Sequence, residues 1–240
     1  MTSSRNMAIV VLIATLTFAV SPILTSGFNG FTPEQFPVVQ LNPPVQPAGF
    51  AFAIWGLIYL WLILSAAYGV WRAADAPGWR AMRPPLAISL IIGTFWIAAA
   101  NAAPVLATVM IVAMAAAAIL SMLRAGHDRP WLQARPVAVF AGWLTAASGV
   151  AIGVVLGGYA ILSAQTAAII CLLGVLCIAV AVQSARPREW GYCAAVSWAL
   201  FGVIVANLSG PNLPVIALAT LGMATLTLRV LQSNMKDADR

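Results

Sequence analysis

Apolar stretches of about twenty residues alternate along the chain with short polar breaks, over 7–25, 47–71, 85–102, 104–123, 136–157, 161–184, 190–208 and 213–231. Each is close to the roughly 20 residues an α-helix needs to cross a bilayer. The pattern predicts eight spanning helices. Three breaks are tight turns: 101–103 closed by Pro104, Gly158-Tyr159, and Ser209 to Asn212. Three others, 72–84, 124–135 and 185–189, are polar loops. The break at 26–46 is different, with Pro33, Pro37, Pro43 and Pro44 and a single charge, Glu34. Such proline density forbids a continuous helix and favours a folded cap or an extended connection.

The first run has a rival reading as a cleavable signal, since Arg5 precedes it and Thr25, Ser26 and Gly27 follow. Its apolar core exceeds the usual length of about 7–15 residues, so a retained helix is expected. Cleavage would leave seven spans with the same loop sidedness.

Composition agrees with the pattern. Of 240 residues, 62% are hydrophobic and 8% charged, against about 25% charged in soluble domains. The expected class is an all-α polytopic membrane helix bundle with no soluble domain on either face. The net charge of +6 would point to nucleic acid if it formed a patch, but it is distributed by loop. Arg5, then Arg72, Arg80 and Arg83, then Arg124, Arg129 and Arg135, then Arg186 and Arg188, then Arg229, Lys236 and Arg240 account for all 12 basic residues. In an eight-span chain every one falls on one side. The positive-inside rule then places both termini in the cytoplasm, as in a bacterial-type inner (plasma) membrane. No nucleic-acid partner is expected.

The runs lack most reactive chemistry. No Asp, Glu, Lys or His lies well inside one, and Arg229 is near enough to a helix end to snorkel to the interface. A carboxylate-coupled pump is disfavoured. A retinal Schiff base is excluded, because Lys236 is in the tail. His127 is a lone loop histidine, and Cys171, Cys177 and Cys193 read as small hydrophobes without CxxC spacing. No phosphate loop, nucleophile elbow or metal-ligand cluster is visible. No catalytic residue, metal or cofactor is expected, and the chain is read as a non-enzyme.

Polar groups within the runs, Thr94, Asn101, Thr145, Ser148, Gln165, Thr166, Ser197 and Asn207, are expected to hydrogen-bond between helices. Gly142, Ala146, Gly149 and Gly153 recur at steps of four, three and four, a stripe for close helix contact. Of nine tryptophans, Trp71, Trp79, Trp131 and Trp190 fall where interface anchors belong. Trp55, Trp61, Trp96, Trp143 and Trp198 lie deeper, where they either pack or build an aromatic pocket.

The second run decides how those residues are read. It runs Pro47-Ala48-Gly49-Phe50-Ala51-Phe52, then Trp55, then Tyr59 four residues later, and it ends Ala67-Tyr68-Gly69-Val70-Trp71. Phe52, Trp55 and Tyr59 share one helical face. This resembles the signature helix of the translocator protein family (TspO, the tryptophan-rich sensory proteins). In that family a Pro-Pro-Gly-Trp-Val-Phe lead-in precedes a Trp and a Tyr, and an Ala-Tyr-x-x-Trp ending follows. Ala48 replaces the second proline, Phe50 replaces the lead-in tryptophan, and the spacing differs by one residue on each side of Trp55–Tyr59. The stretch 136–147, PVAVFAGWLTAA, is similar to the family's fifth helix.

The resemblance implies a TspO-like five-helix core over 1–157, with 158–240 adding three membrane helices and a cytoplasmic tail, as in longer members. It implies a pocket for a flat hydrophobic ligand such as a porphyrin, in a sensory or transport role. Pro47, Gly49, Phe50, Phe52, Trp55 and Tyr59 would bind from the second helix, Trp143 from the fifth, and Asn101 by a hydrogen bond. The loop 26–46 would close over them. Phe50 keeps a stacking face but lacks the indole N–H. The alternative is a secondary transporter of a small neutral or amphipathic solute. The expected partners are the lipid bilayer and a hydrophobic small molecule, with homodimerisation left open.

Overall fold

The computed structural model describes residues 3–25 and 27–238. Ser26 and Arg240 lie outside the described residues, as does the side chain of Lys236. All regular structure among the described residues is helical: α1 (Ser3–Leu24), α2 (Ile54–Trp71), α3 (Pro77–Ala102), α4 (Pro104–Arg124), α5 (Ala134–Gly158), α6 (Ala164–Ala185), α7 (Trp190–Ala206) and α8 (Leu213–Ala238). Two 3₁₀ turns, Pro33–Gln35 and Gly49–Ala53, lie between α1 and α2. Seven of the eight helices are long and apolar enough to cross a membrane. The eighth, α7, has 17 residues and measures about 25 Å at 1.5 Å per residue. The protein is a polytopic membrane helix bundle.

α5 is the hub, packing against α4, α7, α6 and α2. Its sequence explains this. Small residues bring neighbouring backbones close, which is the main source of helix association where lipid is as apolar as the helix surface. A Cβ at Gly142 would collide with the Tyr192 carbonyl on α7, and one at Gly149 with Val175 on α6. Gly153 differs from the expectation of a helix partner: it receives Val45 of the long loop, whose Cγ1 would lie 2.9 Å from an added Cβ. Leu57, Leu60, Val109, Leu173 and Leu221 face outward, as lipid-contacting positions must.

The break expected over 72–84 is much shorter than it reads. α3 begins at Pro77, and Pro84 and Pro85 lie inside the helix. Pro77 stands in the first turn, where its missing N–H leaves nothing unbonded. The two internal prolines are helix-breaking in isolation. Here Pro84 faces outward while Pro85 is buried with Trp79, Met82, Arg83 and Leu86, so packing around the same turn overrides local preference. Trp79, expected as an interface anchor, is 3% exposed. Its ring lies against the backbone at Gly69, where a side chain would crowd it, and against Tyr68.

Arg83 is the other departure. The residue is 2% exposed. Nη2 donates to the Gly69 and Ala73 carbonyls at 2.9 and 2.8 Å, and Nη1 to Ala74 at 2.6 Å. Nη1 also reaches the Ser4 carbonyl at 3.4 Å, and Ser4 Oγ donates to Ala74. One side chain therefore closes the C-terminal end of α2 and ties it to the start of α1.

Candidate functional site

The long loop lies over the end of the bundle and is held by backbone and amide hydrogen bonds. Val38 N donates to Gly158 O at 2.9 Å, and Gln40 Nε2 to Val154 O at 3.0 Å. Gln35 Nε2 donates to Ala100 O at 2.8 Å. Asn207 Nδ2, on the residue closing α7, donates to Pro44 O at 2.9 Å. The lead-in to α2 docks on α7: Ala48 N donates to Gly202 O at 3.0 Å, and Trp198 Nε1 to Ala51 O at 2.8 Å. Gly202 permits that approach, since an added Cβ would lie 2.8 Å from Ala51 and 2.9 Å from Pro47.

Beneath the loop the aromatic rings form a continuous cluster. Phe28 meets Trp96 at 4.8 Å, Phe31 at 5.4 Å and Phe52 at 6.4 Å between centroids. Phe52 meets Trp143 edge-on at 5.9 Å, and Trp143 meets Trp55 edge-on at 6.0 Å. Trp55 stacks on Tyr59 at 5.4 Å, 16° from parallel. Phe18 of α1 closes the far side against both. Separations of about 4.5–7 Å in edge or offset geometry are where the ring quadrupoles attract.

A cavity lies within this cluster. Phe28, Phe31, Phe52, Trp55, Trp96 and Trp143 line it, with Pro47 and Gln46 from the loop and Ile111, Val150 and Ala199 from α4, α5 and α7. The space open to water centres is about 40 Å³. About 10–15 Å³ of such space suffices for one water, so the cavity holds a few waters or a small group. Trp96 Nε1 donates to the Ala107 carbonyl at 2.9 Å. The Trp143 ring is 2% exposed, and its Nε1 has no hydrogen-bond partner. A buried N–H left unpaired in an apolar site costs about 1–3 kcal/mol, so an acceptor placed there would gain a contact nothing now provides.

Four of the residues singled out from the sequence, Pro47, Phe52, Trp55 and Trp143, meet at this cavity. The other four lie elsewhere. Tyr59 is one turn below, behind Trp55. Gly49 opens the 3₁₀ turn. Phe50 points to the α7 side, 5.6 Å from Trp198 and 5.9 Å from Phe201. The cause is local: residues two apart leave opposite sides of any helical turn, 3₁₀ or α, so Phe50 and Phe52 cannot face the same cavity. Asn101 is on the rim, donating to Gly27 O at 3.3 Å while its carbonyl accepts from Gln35. Trp96, one of the deeper tryptophans expected either to pack or to build a pocket, lines the cavity, and Phe28 and Phe31 are lining residues that the sequence reading does not single out. The aromatic spacing of the loop, Phe28 and Phe31 beside Phe36, was the signal available. No group of three or more His, Cys, Asp or Glu side chains among the described residues is placed to hold a metal.

Fold and site together define an integral membrane helix bundle with an aromatic, loop-covered cavity between α2, α3, α5 and the long loop. The family model described as TSPO-like protein matches residues 7–231, and the chain belongs to that family. The match extends through most of α8. No curated protein and no solved structure matched the chain.

Proposed function

We propose that the protein binds a flat, hydrophobic, tetrapyrrole-like ligand in the aromatic cavity, as a sensor or carrier of that ligand and not as an enzyme. The observation carrying this reading is the buried Trp143 N–H, unpaired within a continuous wall of rings. Rings supply a stacking surface, and the N–H selects a ligand with an acceptor at its edge. A non-enzymatic role fits a lining with no carboxylate, histidine or cysteine among the described residues. In the closed form the cavity is far below the roughly 300–1,000 Å³ of a small-molecule site. Binding therefore requires the 27–47 loop to lift from its amide anchors on α5 and α7. The orientation that fits the arginine distribution puts this loop outside and both termini in the cytoplasm of a bacterial-type plasma membrane.

Quenching of tryptophan fluorescence by a porphyrin panel tests the reading, with Trp55→Ala and Trp55→Phe compared in the full chain. Loss of one stacking partner should weaken binding about tenfold in Trp55→Ala, while Trp55→Phe retains most of it. Equal affinity in wild type and Trp55→Ala would remove the pocket from consideration. Flux of the bound compound into proteoliposomes then separates carriage from sensing.

A further inference from the structure

At the opposite end of the bundle is an open cleft of about 600 Å³ between the α6–α7 connection and α8. Arg186, Arg188 and Arg229 line it with His127, Ser184 and Ser233, and no carboxylate lines it among the described residues. Three guanidinium groups bring a concentration of positive charge to one cleft, and an anion held between them would be attracted by all three.

Part of the arginines' role is structural. Arg186 Nη1 donates to the Leu123 and Ala125 carbonyls at 3.2 and 2.9 Å, closing the end of α4. Arg229 Nη1 donates to the Val180 carbonyl at 3.2 Å and Ser184 Oγ at 2.7 Å, near the end of α6. Helix C-termini carry about half a negative charge, so these contacts explain why arginines stand there. They do not use up the donors. Arg186 Nε and Nη2 are buried with no hydrogen-bond partner. Among the described residues Nη2 is paired only with Glu189 Oε1, 4.0 Å away and beyond hydrogen-bonding reach.

We infer that this cleft binds the phosphate headgroup of an anionic membrane lipid. Guanidinium forks bind phosphate oxygens two at a time, and the serine hydroxyls add donors. Basic pockets between membrane helices at a positively charged face suit lipid headgroups. The lipid source, as opposed to a soluble phosphate, is favoured by what adjoins the cleft. Leu228 and Leu231 flank Arg229 and Gln232 on α8 and are 57% and 52% exposed, and Ile178 on α6 is 48% exposed. A phosphate held by the arginines would have apolar helix surface beside it for the acyl chains. The inference is independent of the ligand assigned to the aromatic cavity, which lies at the other end of the helices.

The test uses the full chain in phosphatidylcholine nanodiscs doped with phosphatidylglycerol, with retained lipids counted by native mass spectrometry. Wild type should retain phosphatidylglycerol in preference to phosphatidylcholine. Arg188→Gln should lose about fivefold in that affinity, and Arg188→Gln/Arg229→Gln about thirtyfold, at roughly fivefold per arginine. The single variant lies at an exposed position and serves if the double variant does not fold. Arg72→Gln/Arg80→Gln, at the same end but outside the cleft, should behave as wild type. Equal losses in the two double variants would mean diffuse surface attraction and overturn the site. Displacement of the lipid by millimolar glycerol 3-phosphate or inorganic phosphate would make it a soluble-phosphate site and overturn the lipid assignment.

Discussion

The two ends of the bundle close their helices with opposite materials. At one end the α2–α3, α4–α5 and α6–α7 connections are short and bound by arginine. Arg83 caps α2, Arg186 caps α4, Arg229 reaches α6, and Arg135 lies over the Trp131 ring at 4.3 Å. At the other end carboxamides do the work: Gln35, Gln40, Asn101 and Asn207 hold the loop, and Gln165 and Asn212 pair between α6 and the start of α8. A guanidinium satisfies several carbonyls at once and carries a charge that resists crossing the bilayer. A carboxamide satisfies one or two and carries none. The charged end should therefore be rigid, and the amide end able to open. A ligand cavity under a loop needs the second property.

The most severe test of that contrast is Arg83. Replacing it with Met leaves the Gly69 and Ala73 carbonyls without their donor in a buried site, and leaves the half-buried Ala74 carbonyl with Ser4 Oγ alone. At about 1–3 kcal/mol for each buried group left unsatisfied, partly relieved by relaxation, the loss should be about 3 kcal/mol or more. For a chain of this size that lowers the thermal midpoint in detergent by roughly 6–12 °C. Arg83→Lys keeps the charge but cannot fork, and should fall between. A midpoint unchanged in Arg83→Met would mean that arginine does not stiffen this end.

Arg83 also marks where the sequence stops being legible. The eight helices, the gathering of the arginines between them and the shared face of Phe52, Trp55 and Tyr59 follow from hydropathy and spacing, because bilayer thickness and helix period are strong constraints. The start of α3 does not. Pro84 and Pro85 are local breakers, and only the burial of Trp79 and Arg83 among residues distant in sequence reverses them. The cavity was half visible. Pro47, Phe52, Trp55 and Trp143 were picked out by motif. Phe28 and Phe31 sit in a loop without periodicity, and Phe50, two residues before Phe52, is on the opposite side of the turn, which helical spacing already implies and the motif match does not.

Asn207→Ala probes the amide end and should be milder. It removes the donor to Pro44 O at 2.9 Å, while Ala48 N still bonds Gly202. One lost hydrogen bond of about 1 kcal/mol predicts roughly fivefold faster amide exchange in the 27–47 loop, with little change in the α2–α3 connection. Equal acceleration at both ends would show that the loop does not open as a separate unit, and the contrast between the ends would fail.

The smallest effect belongs to Glu189, the one acid buried at the arginine end among the described residues. Burial pushes its carboxyl above the usual 4.5, and Arg186, Arg135 and His127 pull it back only in part. The folded protein therefore holds this proton more tightly than the unfolded chain does. The stability this group lends is full below the usual carboxylate value and is lost as pH rises through the raised folded value. Thermal midpoints of wild type should decline relative to Glu189→Gln as pH rises from 4.5, and the two should converge again in acid. The same variant removes the carboxylate 4.0 Å from Arg186 Nη2, freeing that guanidinium for the cleft. Anionic lipid retention should then rise in Glu189→Gln even as the pH response flattens. A fall would mean that Glu189 holds Arg186 in the position the cleft requires, and that rigidity at this end depends on the acid as much as on the arginines.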